Sequence, residues 1–234
     1  MVRLRILSVL ALTTLLAVLV ALPGSATAAQ HDDTKVVRKS PAGPHLPHYV
    51  ATIHTVSEKR LGKSWRKGCP VGPRELRLLR LNYVGFDGRV HRGELIVADA
   101  VAREVADIFG DLYFQRFPIA RMETVDKYGA DDDKSMAANN TSAFNCRPIT
   151  GGTAWSNHSY GRAIDINTVQ NPYISGSGVV SPPAGKPFAD RSRTDPGMIH
   201  HGDNVYQTFI KRSWAWGGDW DTPKDYQHFE KPRK

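Results

Sequence analysis

Cysteine is nearly absent from this chain. Cys69 and Cys146 are the two among 234 residues. Neither they nor the nine histidines can be arranged in zinc-finger spacing. No basic helix or RNA-binding aromatic motif accompanies the positive charge, so nucleic acid is not an expected partner. The acidic triplet Asp131-Asp132-Asp133 lacks the spaced ligands and terminal Glu of an EF-hand loop and reads as a solvated face. Ser64-Trp65-Arg66-Lys67 fits Ser-x-x-Lys, but no Lys-Thr-Gly follows it, which excludes a serine-type reading. Long apolar runs are equally scarce. Residues 6–22 form one, and no other stretch could span a membrane.

That run follows the basic start Met1-Val2-Arg3-Leu4-Arg5. It is broken by Pro23-Gly24-Ser25 and followed by the small-x-small site Ala26-Thr27-Ala28. Residues 1–28 therefore read as a secretory signal peptide, with a retained membrane anchor as the alternative. Its removal takes away Arg3 and Arg5 and no acid. The formal charge then falls from +8 to +6, with 31 − 2 basic residues against 23 acidic ones. About 200 residues remain, enough for one domain with a real core. In an exported chain, an even cysteine count suggests a Cys69–Cys146 disulfide, and a nucleophilic cysteine is the rival reading.

Residues 29–68 are polar and hold Pro41, Pro44 and Pro47, without a sustained apolar period. They read as a flexible N-terminal arm with a short ordered piece near residues 49–56. His45, His48 and His54 are scattered through it and read as unpaired surface residues. Residues 69–234 form the expected domain. Alternation over residues 75–83, the turn Gly85-Phe86-Asp87-Gly88 and a return over residues 90–96 predict a β-hairpin. Ala98, Val101, Val105, Ile108 and Leu112 form a helical stripe that should end before Phe117-Pro118. Residues 119–125 read as a strand and 126–150 as a long polar loop. Residues 171–201, rich in Pro, Gly and Ser, read as a cleft rim. His200 and His201 sit there without a matched carboxylate. Asp203 can cap a short helix carrying Tyr206, Phe209 and Ile210 inward, and the bulk of Trp214 and Trp216 suits a core.

The chemistry is concentrated in Ser156-Asn157-His158-Ser159-Tyr160-Gly161-Arg162-Ala163-Ile164-Asp165-Ile166-Asn167. Ala163, Asp165 and Asn167 alternate with Ile164 and Ile166, as in a strand that buries its isoleucines. Gly161 permits a tight turn that brings His158 back over the face of Asp165. Imidazole plus carboxylate is a usual first-row metal pair, and a catalytic zinc asks for a third protein ligand. His228, in Asp225-Tyr226-Gln227-His228, offers it, and Asp225 is then a spare carboxylate for general base work.

Ser-x-His-x-x-Gly-x-Ala-x-Asp followed by Asp-x-x-His resembles the M15 family of zinc peptidases. That family includes D-Ala-D-Ala carboxypeptidases and dipeptidases and endolysin-type L-Ala-D-Glu peptidases. Trp216-Gly217-Gly218-Asp219-Trp220 and an Asp before the last His resemble the endolysin-type branch most. The absence of His-x-His disfavours a lysostaphin-type enzyme. The similarity runs over residues 69–230. It implies that His158, Asp165 and His228 hold Zn2+, that Asp225 is the catalytic base, and that Ser156 lies beside the substrate. It also implies that Arg147 polarises the scissile carbonyl or holds a carboxylate. The fold it implies is α+β: a single domain with a mainly antiparallel sheet, helices packed on one side and zinc in the cleft. The expected protein is a secreted, monomeric peptidase of peptidoglycan stem peptides, with anionic wall polymers as further partners and no membrane span once the signal is removed. A non-catalytic, zinc-stabilised wall-binding module of the same fold is the alternative.

Overall fold

The structure is a computed structural model that describes residues 33–39 and 46–233. The signal segment read at residues 1–28 lies outside the described residues, as does His45. Four strands, β1 (Thr34–Arg38), β2 (Tyr49–Thr55), β3 (Leu76–Val84) and β4 (Val90–Ala98), form one antiparallel sheet in the order β1-β2-β3-β4. β3 and β4 are the predicted hairpin, in register from Leu76↔Ala98 to Val84↔Val90. Its loop is closed by Gly85 N–H donating to Arg89 O at 2.8 Å. Gly88, at φ +72°, takes the left-handed position that favours glycine.

β1 and β2 correct the reading of residues 29–68 as a flexible arm, although β2 falls where the short ordered piece near residues 49–56 was expected. Val36, Tyr49, Ala51 and Ile53 face inward from the two strands and are buried. Two adjacent β-strands need only alternate side chains to be apolar, so the mean polarity of this stretch hid them. The same stretch supplies the short helix α1 (Glu58–Leu61), capped by Ser57. His54 is not an unpaired surface residue either: its Nδ1 lies 2.8 Å from the Asp33 carboxylate.

The predicted helix is α2 (Asp99–Phe114), and it lies on one face of the sheet. Val101, Val105, Ile108, Phe109 and Leu112 pack against Leu79, Leu81, Leu95 and Val97. Burying one such side chain contributes about 1.5–3 kcal/mol. The other face of β3 and β4 presents Leu76, Leu78 and Ile96 to a smaller cluster with Leu61, Phe144 and Cys146. Cys146 is bonded to Cys69 across 77 residues, with the Cα atoms 6.0 Å apart. The bond fastens the sequence just before the histidine motif to this second core.

Two further corrections concern the middle of the chain. Residues 119–125 are not a strand. Met122 makes only an isolated bridge to Thr141, and residues Val125–Tyr128 turn as a 3-10 helix. Residues 126–150 are not a plain polar loop, because they contain α3 (Asp132–Ala137), and residues 140–146 are buried. Asp131 caps α3, its side chain accepting from Lys134 N–H at 3.0 Å.

The rest of the chain builds two small antiparallel sheets. In one, β5 (Ala163–Asp165), β10 (His228–Glu230) and β8 (Ala215–Trp216) lie in the order β5-β10-β8. In the other, β7 (Val180–Ser181), β6 (Tyr173–Ile174) and β9 (Lys224–Asp225) lie in the order β7-β6-β9. Asp203 caps α4 (Asn204–Ile210), as predicted, by accepting from Tyr206 N–H at 2.7 Å. Phe209 of α4 stacks on Phe229 of β10 at 3.9 Å between centroids, and Trp214 and Trp216 are buried around them. These aromatics join the small sheet to the main core, so the fold is α+β and mainly antiparallel, with the long helix on one face. The described residues fall in one unit, and no helix among them is long and apolar enough to cross a membrane.

Candidate metal centre and cleft

Three elements carry the site. Ser156 opens a 3-10 turn, Asn157–Tyr160, by accepting from His158 N–H at 3.3 Å. Gly161 ends the turn at φ +64° and leads through Arg162 into β5. A Cβ there would lie 2.5 Å from Ala98 N, and the glycine carbonyl accepts from that same N–H at 2.8 Å. Gly161 is thus needed for its conformation and for its close approach to the main sheet. β5 then pairs with β10 so that Asp165 lies opposite His228.

The result is a triangle of donor atoms. His158 Nε2 is 3.2 Å from Asp165 Oδ2, His228 Nδ1 is 3.0 Å from Asp165 Oδ1, and the two ring nitrogens are 3.2 Å apart. All three side chains are buried. Ligands about 2.0–2.1 Å from a tetrahedral zinc are separated by about 3.3 Å, close to these edges.

The hydrogen bonds behind the triangle fix which nitrogens face it. His158 Nδ1 donates to Ala143 O at 2.5 Å. Ala143 is placed by the neighbouring Ser142, which bridges Asp165 by two backbone hydrogen bonds of 3.0 and 2.9 Å. His228 Nε2 donates to Glu230 Oε2 at 3.1 Å, and Asn157 Nδ2 donates to the same oxygen at 2.6 Å. Each neutral imidazole then turns a bare lone pair toward the Asp165 carboxylate. Three converging lone-pair donors repel one another unless a cation sits among them, so the donor set fits a metal ion. Without one, a proton takes that part. Burial alone would lower His228, but hydrogen bonds to the Asp165 and Glu230 carboxylates override it and push the imidazole up to about 10. Burial likewise opposes ionisation of Asp165, but His158 and His228 hold its carboxyl well below the usual range.

Asp225 reaches the same cleft from β9. Its Oδ1 is buried and has no hydrogen-bond partner. Burial, reinforced by the charge of Asp165 and opposed by His228 and Arg147, pushes its carboxyl up to about 8. Gly217 makes room for it, since a Cβ at Gly217 would lie 2.6 Å from Asp225 O. The cleft has a volume of about 450 Å³, and Ser156, His158, Asp225 and His228 all line it.

Arg147 also lines the cleft, with Nη2 2.7 Å from Asp132 Oδ2. This corrects the reading of the acidic triplet as a solvated face. Asp131 is a helix cap, and Asp132 is the partner of a cleft arginine. In the sequence Trp220 stands out only as part of its motif; the structure sets its ring 5.4 Å from that of His228 and makes Glu230 the outer partner of His228, neither of which sequence reasoning foresaw. The spacing of Glu230 from His228 was a usable signal, because residues two apart on a strand share a face. His200 and His201 stay apart from the donors, and His201 is exposed and pairs with Asp219 at 2.7 Å. Tyr173 and Ser181 place part of residues 171–201 on the cleft wall, where a rim was expected.

A buried His/Asp/His set with an unpartnered acid beside it is the arrangement of a metal-dependent hydrolase. Residues 150–231, the segment carrying all three donors and Asp225, match the M15 peptidase family model described as D-alanyl-D-alanine carboxypeptidase. The match begins after Arg147 and does not cover it. No curated protein and no solved structure matches the chain.

Proposed function

We propose that the protein is a secreted, zinc-dependent peptidase that hydrolyses amide bonds in peptidoglycan stem peptides. The observation that carries this reading is the orphaned, buried Oδ1 of Asp225 in the cleft that holds the His158/Asp165/His228 triangle. A binding module has no use for such an acid, whose burial unpaired is costly.

His158, Asp165 and His228 would hold the ion. Bound there, zinc supplies a Lewis acid that polarises the scissile carbonyl and favours deprotonation of the attacking water. Asp225 takes the proton of that water and returns it to the leaving amine. Arg147, held by Asp132 through Nη2 and donating from Nη1 to Pro148 O, brings its positive charge to the cleft beside the substrate carbonyl. Ser156 keeps His158 in place through the cap and borders the substrate. The disulfide suits an oxidising compartment, and the basic charge favours retention near anionic wall polymers.

Metal analysis of the mature protein and mass spectrometry of digested, defined muropeptides test this reading. About one zinc per chain and cleavage of a stem-peptide amide are expected. A protein that takes up no zinc and leaves every muropeptide intact would refute it.

A further inference from the structure

The cleft contains a second arginine. After β10 the chain is tied down by Lys231 N–H donating to Arg162 O at 2.8 Å and by Arg162 Nη2 donating to Pro232 O at 2.7 Å. Lys231 Nζ is itself held by Glu104 at 2.9 Å. These bonds direct the tail back to the wall of the cleft, where Arg233 joins His228 and Asp225 as a lining residue. Its guanidinium carbon lies 4.0 Å from the centroid of Tyr160, which is two residues from His158 on the same turn.

The two cleft arginines differ in what remains free. Arg147 is neutralised by Asp132 at 2.7 Å. Among the described residues, Arg233 forms no ion pair with a carboxylate. Stacking on an aromatic face fixes the guanidinium plane and leaves its in-plane N–H fork open, which is the geometry that grips a carboxylate through two hydrogen bonds. We infer that Arg233, positioned on Tyr160, binds a carboxylate of the peptide substrate and sets a preference for acidic over amidated peptides. This rests on the peptidase reading. The carboxylate has two sources in such a peptide: the free C-terminus, or the α-carboxylate of a γ-linked glutamate inside the chain.

The test is equilibrium binding, which does not depend on turnover. The probes are an N-acyl D-alanyl-D-alanine peptide as free acid and as C-terminal amide, and an L-alanyl-γ-D-glutamyl peptide with its α-carboxylate free or amidated. They are titrated against the full, zinc-supplemented chain carrying Asp225→Asn, with and without Arg233→Gln. The parent is expected to favour one acid over its amide by on the order of tenfold or more in Kd, and the pair that shows the preference identifies the source. Arg233→Gln should remove that preference and leave amide binding unchanged, and Arg233→Lys should restore only part of it. In otherwise wild-type protein, Arg233→Gln should raise KM for the acid with kcat held. Equal binding of acid and amide by the parent, no binding of any probe, or a preference that survives Arg233→Gln would overturn the inference. Arg233-dependent binding without any cleavage by the wild type would sink the peptidase reading and leave the carboxylate site standing.

Discussion

Asp165 and His228 lie directly opposite each other on β5 and β10, and their Oδ1 and Nδ1 atoms are 3.0 Å apart. Facing positions on neighbouring antiparallel strands bring side chains within reach whatever their separation in the chain. Here that pairing joins residues 63 apart in sequence. The same strand carries Glu230, two residues on, to the outer nitrogen of His228. The Asp165–His228 side of the candidate metal site is therefore a property of the sheet register.

The register predicts the metal-binding behaviour of variants. His228→Ala should lose metal and activity together. Glu230→Ala keeps all three donors but frees the His228 ring, and should weaken metal affinity by roughly 10–100-fold. Competition with a chelator measures both, and an unchanged affinity in Glu230→Ala would show that the outer carboxylate does nothing for the ligand.

Asp225→Asn keeps size and shape but cannot accept a proton. Zinc content should stay near wild type while turnover falls by roughly 10²–10⁴-fold. Loss of zinc would make Asp225 a ligand, and full muropeptide cleavage by the folded, zinc-loaded variant would remove it from the mechanism.

The pH dependence of the metal-free protein follows from the same carboxyl. In the native state Asp225 holds its proton up to about pH 8, against an ordinary value of 3.8. The stability gained from that proton is complete below about pH 4 and is lost as pH rises toward 8. His228, raised from 6.5 to about 10, acts in the same direction across pH 6.5–10. Asp225→Asn removes the first effect and, because the Asp225 charge helps hold His228 up, trims the second. Denaturant unfolding in chelator should show the variant gaining on the wild type between pH 4 and 8, by on the order of a few kcal/mol. A gap that does not vary with pH would contradict the buried, protonated acid.

Two glycines should give separable defects. Gly161→Ala places a Cβ against the backbone of Ala98 at positive φ. It should cost about 1 kcal/mol or more of stability and weaken metal binding through His158. Gly217→Ala presses on Asp225 O instead, and should lower kcat while metal affinity holds. Calorimetric unfolding, metal titration and steady-state kinetics distinguish them, and matching defects in the two variants would refute the assignment.

Removing the Cys69–Cys146 bond by Cys69→Ser with Cys146→Ser should cost roughly 2–5 kcal/mol, read as a fall in the denaturant midpoint. Because Arg147 follows Cys146 directly, KM should also rise.

How much of this was legible in the sequence depended on range. The β3–β4 hairpin, α2 and the Asp203 cap were readable because apolar period, turn residues and capping residues act within a few positions. β1 was missed, and β2 was read only as a short ordered piece near residues 49–56, because their polar outer faces, and the prolines between them, masked a period-2 pattern that only pairing with β3 makes stable. The strand read at residues 119–125 failed for the converse reason: local β-propensity without a partner edge yields an isolated bridge.

At the site, the sequence by itself determined the donor types, the Gly161 turn and the spare acid at Asp225, since metal coordination and proton transfer depend on side-chain chemistry. Tertiary structure alone decided which atoms face inward. Ala143 O and Glu230 select the nitrogens of His158 and His228, and Asp132 neutralises Arg147 while Tyr160 orients Arg233. These choices rest on hydrogen bonds, ion pairs and stacking between segments far apart in the chain, and such contacts exist only once the strands have paired.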